Sequence, residues 1–342
     1  MLKVSFYSYK GGSGRSTTAW NTIQQLVEIM NPTKEHPFVI VDTDTQSAGA
    51  TFLFKAAKLF MAEKPYWSVQ KRMVDKPEDD YDGTDPDVKK KFFSTMYPIG
   101  TFFGKPVSEK ESVLLIGANT VQDSASATNA DVAGKGGAGS QQMDNFRNGI
   151  TFACEDCGVK ALFFDTPSGS QFLAKMSIQQ SDVVVCCMRP TRQFREGTYG
   201  QLIKFLEDDV KFGEDVQRKY ILTPTAVCVD QKQRIGSEEY PLAAYEDIKK
   251  LFSAENMETD KLKEAFKNSI VLDMLTLKSQ TECENSVEEI FGIPEIKRFK
   301  WFEECLGALP DGELSKNDKM ALKRYNLLAQ TIKKFWKEDK EE

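Results

Sequence analysis

The chain has 342 residues, of which 40% are hydrophobic and 28% charged, with a formal net charge of −6. That length suits one large α/β domain or a domain carrying an insertion. The acidic balance argues against general affinity for nucleic acid, although a local basic patch could supply it, and the lack of any run of about eighteen apolar residues excludes a spanning helix.

In chain order, Leu2 to Tyr9 reads as a short, largely apolar strand. Because Met1 leads straight into it, neither a signal peptide nor an N-terminal DNA-reading domain is expected. Tyr9-Lys10-Gly11-Gly12-Ser13-Gly14-Arg15-Ser16-Thr17-Thr18 is a glycine-rich turn, and from Ser16 the apolar residues Trp20, Ile23, Leu26, Val27 and Met30 recur at helical spacing. Strand, glycine loop and helix N-terminus in that order make a phosphate cradle: backbone N–H groups converge on one anion and the helix dipole favours negative charge. Ser16 stands at the loop–helix junction, where a hydroxyl can ligate a nucleotide's magnesium. A standard P-loop places lysine just before that residue; here it is Arg15, and the lysine comes earlier, at Lys10.

Phe38-Val39-Ile40-Val41-Asp42-Thr43-Asp44-Thr45-Gln46 is an apolar run ending in acid, which delivers carboxylates to the C-terminal edge of a parallel strand. The acidic run Glu78 to Gly83 hints at a calcium loop, but the twelfth position is Lys89 where a bidentate glutamate is needed, so it is read as a solvated loop. A strand is expected at 113–117. Residues 119–141, rich in Ala, Gly, Ser and Asn, read as a mobile connection. Within them, Lys135 to Ser140 echoes the first loop without a strand running into it or a cation after its last glycine.

Cys154 and Cys157 form a lone CxxC and His36 is the single histidine, so a zinc site is not expected. Seven unevenly placed cysteines make no disulfide framework and suit a reducing cytoplasm. Ala161-Leu162-Phe163-Phe164-Asp165 is a second buried run ending in acid, a Walker B pattern whose carboxylate is held near magnesium. Asp182 to Pro190 reads as the next strand, with Cys186 and Cys187 as small core residues, and 219–229 as another. Towards the C-terminus Leu322, Tyr325, Leu328, Ala329, Ile332, Phe335 and Trp336 recur at helical spacing, with Lys323, Arg324, Lys333, Lys334 and Lys337 between them. We expect a last helix that docks its apolar stripe on the core and turns its charges to water, in preference to a basic helix for a membrane or DNA.

Lys10-Gly11-Gly12-Ser13-Gly14-Arg15-Ser16-Thr17-Thr18 resembles the deviant Walker A motif of the ParA/MinD ATPases, usually written KGGxGKTT, and in particular its arginine-bearing KGGVGR variant. Asp42 to Gln46 resembles the family's DxDPQ switch with Thr45 in place of proline. Asp165-Thr166-Pro167-Ser168-Gly169 resembles its DTPPG switch with Ser168 for the second proline. Thr191-Arg192-Gln193 is similar to a TPNRQ segment, and Ile293-Pro294-Glu295-Ile296 to the late segment near which the base is held. The matches follow one another in order, whereas residues 56–112 and 230–285 resemble nothing in the family.

The resemblance implies a P-loop NTPase of α/β class, a mostly parallel sheet with helices on both faces, forming a single domain over residues 1–342 with insertions or helical regions at about 56–112 and 230–285. It implies ATP and Mg2+ as cofactors. Lys10, Gly11, Gly12, Ser13, Gly14, Arg15, Ser16, Thr17 and Pro294 would contact nucleotide, and Ser16, Asp42 and Asp165 would serve magnesium. Asp44 would orient the attacking water, and Lys10 would reach across an ATP-dependent homodimer to the partner's phosphates. A cytoplasmic switch is expected, with membrane binding less so. Three roles stay open: a partition or positioning ATPase that binds DNA non-specifically and answers to an activator protein, a signalling or defence-associated ATPase acting on a protein partner, and a nucleotide-binding scaffold that does not hydrolyse.

Overall fold

Runs that are apolar at every position suit strands buried on both faces of a parallel sheet. In the computed structural model these runs become β1 (Leu2–Tyr7), β2 (Phe38–Asp42), β4 (Val113–Ile116), β5 (Ala161–Asp165), β6 (Val183–Met188) and β7 (Lys219–Pro224), with β3 (Tyr97–Pro98) and β10 (Ile270–Val271) as two-residue additions. Two further short strands, β8 (Arg234–Ile235) and β9 (Glu238–Glu239), pair antiparallel with each other. The structure describes residues 1–62, 65–74, 84–104, 109–119, 143–212, 218–228, 234–235, 238–239, 242–275, 291–300 and 305–336. The acidic run at 78–83, the glycine repeat at 135–140 and all of the expected connection beyond Asn119 lie outside them.

The eight-stranded, mostly parallel sheet with its helices is the expected fold class. The described residues fall into two compact units. The first comprises residues 1–6, 26–181 and 335–342. Its strands lie in the order β1-β5-β2-β4-β3, all parallel except the β3–β4 pair. Every residue of β2 and β5 is buried, and Phe38 meets Phe163 edge-on at 5.2 Å between ring centroids. A cluster of Val39, Phe92, Ile116, Phe146, Phe164 and their neighbours fills one face. Among its described residues the stretch 56–112 supplies the short α-helices Ala57–Met61, Val69–Val74 and Pro86–Ser94, the 3-10 turns Gly100–Phe103 and Lys110–Ser112, and β3. Asp85 caps the last of these helices by accepting from the Asp87 N–H, with Pro86 in the first turn.

The second unit comprises residues 7–25 and 182–334. Its strands run β10-β7-β6, all parallel. Helix Arg192–Phe212 follows β6, and helices Leu242–Leu251 and Asp260–Ser269 precede β10. The strand expected through residue 229 stops at Pro224, which has no N–H to donate to a ladder. The chain continues through an isolated parallel bridge between Val227 and Pro294. Helix Lys316–Lys333 opens on a capping box of Ser315 and Asp318 and buries Tyr325, Leu328, Ala329 and Ile332 of the expected stripe together with Met320, while Leu322, Phe335 and Trp336 are half-buried. The charges depart from that expectation at one position. Arg324, expected to face water, is buried, because its guanidinium satisfies two backbone carbonyls beneath the helix.

Candidate nucleotide site

The loop after β1 turns through Gly12 and Gly14, both at φ +77, a left-handed conformation that side chains resist. The helix Arg15–Met30 starts directly behind them, and the Thr18 N–H donates to the Gly14 carbonyl at 2.9 Å. Two side chains from the following strands hold this loop. Thr225 Oγ1 donates to the Ser13 carbonyl, and Arg189 Nε donates to the Gly12 carbonyl at 2.7 Å. A cavity of about 220 Å³ opens here, bordered on the loop side by Gly12, Gly14, Thr17 and Thr18. On the other side it is bordered by Ala226, Ile293, Pro294, Glu295 and Phe299. The loop and the late segment therefore share one cavity, which Gly12, Gly14, Thr17 and Pro294 all border.

The segment 292–295 is built to stay in place. Gly292 takes φ +63, and a Cβ there would come within 2.5 Å of the Pro224 carbonyl oxygen, so the position demands glycine. The Ile293 N–H donates to the Pro224 carbonyl at 2.8 Å, the Val227 N–H to Ile293 at 3.0 Å, and the Glu295 N–H to Val227 at 2.8 Å. Arg324 Nε donates to the Gly292 carbonyl at 2.7 Å and Nη2 to the Met274 carbonyl.

Around the loop, Lys10 Nζ donates to Gln193 Oε1 at 3.0 Å and stands 6.0 Å from the Phe194 ring centroid. Arg15 Nη2 donates to Ser16 Oγ at 3.4 Å, so the arginine in the usual lysine position turns along its own helix toward the hydroxyl. Gly11 is exposed, and Ser13 is buried with a side-chain hydroxyl that has no partner among the described residues.

The acidic strand ends belong to the first unit. Asp42 and Asp165 are register neighbours on adjacent parallel strands and both are buried. Asp42 Oδ2 accepts from the Thr51 N–H at 2.8 Å and the Thr51 hydroxyl at 2.7 Å, while Oδ1 has no partner among the described residues. Burial, then the neighbouring Asp165, raises the Asp42 carboxyl to about 7, against the lowering effect of the Thr51 bonds. The Thr43 N–H and hydroxyl both donate to the Asp165 carbonyl, at 3.0 and 2.9 Å, which ties the two strand ends together. Asp44 follows at the tip, 7% exposed, and Oδ1 accepts from the Ser47 N–H at 3.3 Å.

Two acids that repel each other, one with an orphaned buried oxygen, suit a cation or its ordered water. No group of three or more His, Cys, Asp or Glu is placed to hold a metal among the described residues. Cys154 and Cys157 are buried, and burial pushes both thiols up.

The sequence reading did not anticipate Arg189, Thr225 or Arg324. Arg189 and Thr225 sit at strand ends, where the signal would have been a polar side chain interrupting an apolar run at the same sheet edge as the loop.

No family model matches the chain, and no curated protein matches it. Solved structures do share its architecture. An ATP complex of a Cyanothece McdA variant superposes with a TM-score of 0.55 at 12% identity, covering 98% of this chain and 96% of that one. The pnob8 ParA gives 0.56 at 13% identity over 98% of both chains. The MinC:MinD cell division complex of Aquifex aeolicus gives 0.50 at 11% identity over 98% of this chain and 96% of that one. Among the described residues no helix is long and apolar enough to cross a membrane. At these identities the likeness is one of fold, and the fold is that of the ParA/MinD P-loop ATPases.

Proposed function

We propose that this chain is a magnesium-dependent ATP switch that hydrolyses slowly and dimerises in its ATP state. The observation that carries the reading is the cavity shared by the glycine loop, with two left-handed glycines, and the Ile293–Glu295 segment. The loop offers converging N–H groups to phosphates, and Ile293, Pro294 and Phe299 on the far wall offer an apolar surface to a base. In this reading the backbone of Gly11 to Ser16 and Thr17 binds the phosphates, Ser16 gives its hydroxyl to magnesium, and Asp42 and Asp165 serve the cation's water shell. Bound magnesium neutralises charge on the phosphates. Asp44 holds the attacking water, and Lys10 leaves Gln193 to meet the partner's phosphates. These residue roles rest on the motifs.

The fold likeness to structures named ParA, MinD and McdA supports partition or intracellular positioning as the role, and the motif resemblance is what suggests non-specific DNA and an activator protein as partners and a cytoplasmic setting. Arg15 favours a second reading, a nucleotide-binding protein that turns over little. A guanidinium is bulkier than an ammonium and need not reach the same phosphate oxygens, and this one is turned toward Ser16. Calorimetry with ATP in the presence and absence of magnesium tests the proposal. Wild type binds and depends on magnesium, and Ser16→Ala weakens that dependence. A wild type that binds no nucleotide ends both readings, whereas binding without any phosphate release leaves only the second.

A further inference from the structure

Three arginines follow β6 within seven residues: Arg189, Arg192 and Arg195. Two of them spend their charge on carboxylates. Arg192 Nε pairs with Glu196 at 2.7 Å, and Arg195 Nη1 pairs with Asp247 at 2.9 Å. Arg189 is different. Its one polar contact among the described residues is from Nε to the Gly12 carbonyl, at 2.7 Å. A carbonyl offsets none of the guanidinium's charge, and both terminal Nη groups keep their four N–H donors unspent. Arg189 also lines the cavity that Gly12, Gly14 and Thr17 border. Glu295 borders the same cavity.

We infer that Arg189 is a phosphate-binding cation supplied in cis to the glycine loop. Its Nε bond anchors the guanidinium to the loop, and the planar fork is left to take phosphate oxygens by paired N–H bonds. This makes sense of Arg15. The position that usually carries the loop's lysine holds a side chain turned toward Ser16, and Arg189 brings a second positive charge to the same loop from the neighbouring strand. Because a triphosphate carries more charge than a diphosphate, a cation here favours ATP over ADP. The inference rests on the proposed nucleotide site and goes beyond it by naming a residue that the motifs do not include.

The test is titration of a fluorescent ATP analogue and its ADP counterpart into wild type, Arg189→Gln, Arg189→Lys and Arg192→Ala, each checked by thermal melting. Glutamine keeps a donor for the Gly12 carbonyl and removes the charge; lysine keeps the charge and loses the fork. Arg189→Gln is expected to weaken triphosphate binding by about tenfold or more, with a clearly smaller loss for the diphosphate. Arg189→Lys falls between it and wild type, binding in Arg189→Gln becomes less sensitive to salt, and Arg192→Ala behaves as wild type. Triphosphate affinity in Arg189→Gln within about twofold of wild type, or equal losses for the two nucleotides, overturns the inference and leaves Arg189 a structural clamp. Wild type that binds neither nucleotide overturns the nucleotide site itself, and this inference with it.

Discussion

Arg324→Met is the substitution whose consequence can be worked furthest from the geometry. Methionine is an unbranched side chain of similar length without a charge, so it fills most of the space in the helix Lys316–Lys333. Among the bonds it removes are those from Nε to the Gly292 carbonyl and from Nη2 to the Met274 carbonyl. The Met274 carbonyl keeps the Gly292 N–H at 2.8 Å, so it is not orphaned. The Gly292 carbonyl loses a charged donor, and the segment cannot shift to find another, because Gly292 is backed against Pro224.

Hydrogen bonds from a charged donor are worth about 1.5–3 kcal/mol each. Against them stands the cost of burying the guanidinium, which lowers its pKa to about 10. The balance points to a net loss of about 2 kcal/mol, or a melting point lower by about 3 °C in a chain of this size. Because segment 292–295 walls the nucleotide cavity, ATP affinity should fall with it, by about threefold to tenfold. Urea unfolding and ATP titration on the same preparation measure both. A variant that melts with wild type and binds ATP equally would show that the guanidinium does not hold the late segment, and the account of the cavity's far wall would fail.

Two further substitutions probe the acidic strand ends. Asp44→Ala is expected to keep ATP binding and lose steady-state phosphate release, since a carboxylate at the strand tip suits orienting water rather than anchoring phosphate; unchanged release removes Asp44 from the mechanism. Asp42 is raised to about 7, so between its unfolded value and about 7 the folded state holds more protons than the unfolded one. The stability it contributes is therefore full below about pH 4 and is lost as pH rises through about 7. Asp42→Asn should remove that decline in nucleotide-free protein and gain on wild type from pH 5 to pH 8, and a difference that stays flat across that range contradicts the environment described.

The strands that position the site were legible because their burial is two-sided. Phe38–Asp42 and Ala161–Asp165 must be apolar at every position, and the acid at the end of each marks where the sheet edge begins. The glycine loop was legible for a related reason, since Gly12 and Gly14 occupy backbone conformations that few other residues accept. β3 was not, because two residues containing a proline give no pattern, and its place is fixed only by pairing antiparallel with β4. The short helices of residues 57–94 could be expected only as an insertion or helical region without bounds, since segments of five to nine residues show too few turns for periodicity to speak. Arg324 misled because helical spacing says which face a charge occupies and nothing of carbonyls arriving from a distant loop. Arg189 was read as the end of a strand, and only the fold brings it to Gly12.

The central claim is that ATP changes the assembly state, with Lys10 as the residue that crosses between subunits. In the isolated chain Lys10 is held by Gln193 on the same surface as the loop, at 3.0 Å, an exposed contact that little energy is needed to break. Light scattering with ATP or a non-hydrolysable analogue, set beside ADP and no nucleotide, measures the state directly. The account predicts a doubling of mass in ATP alone, and a Lys10→Ala variant that binds ATP yet stays monomeric. A mass that is the same with every nucleotide, or a Lys10→Ala variant that dimerises as well as wild type, would contradict it.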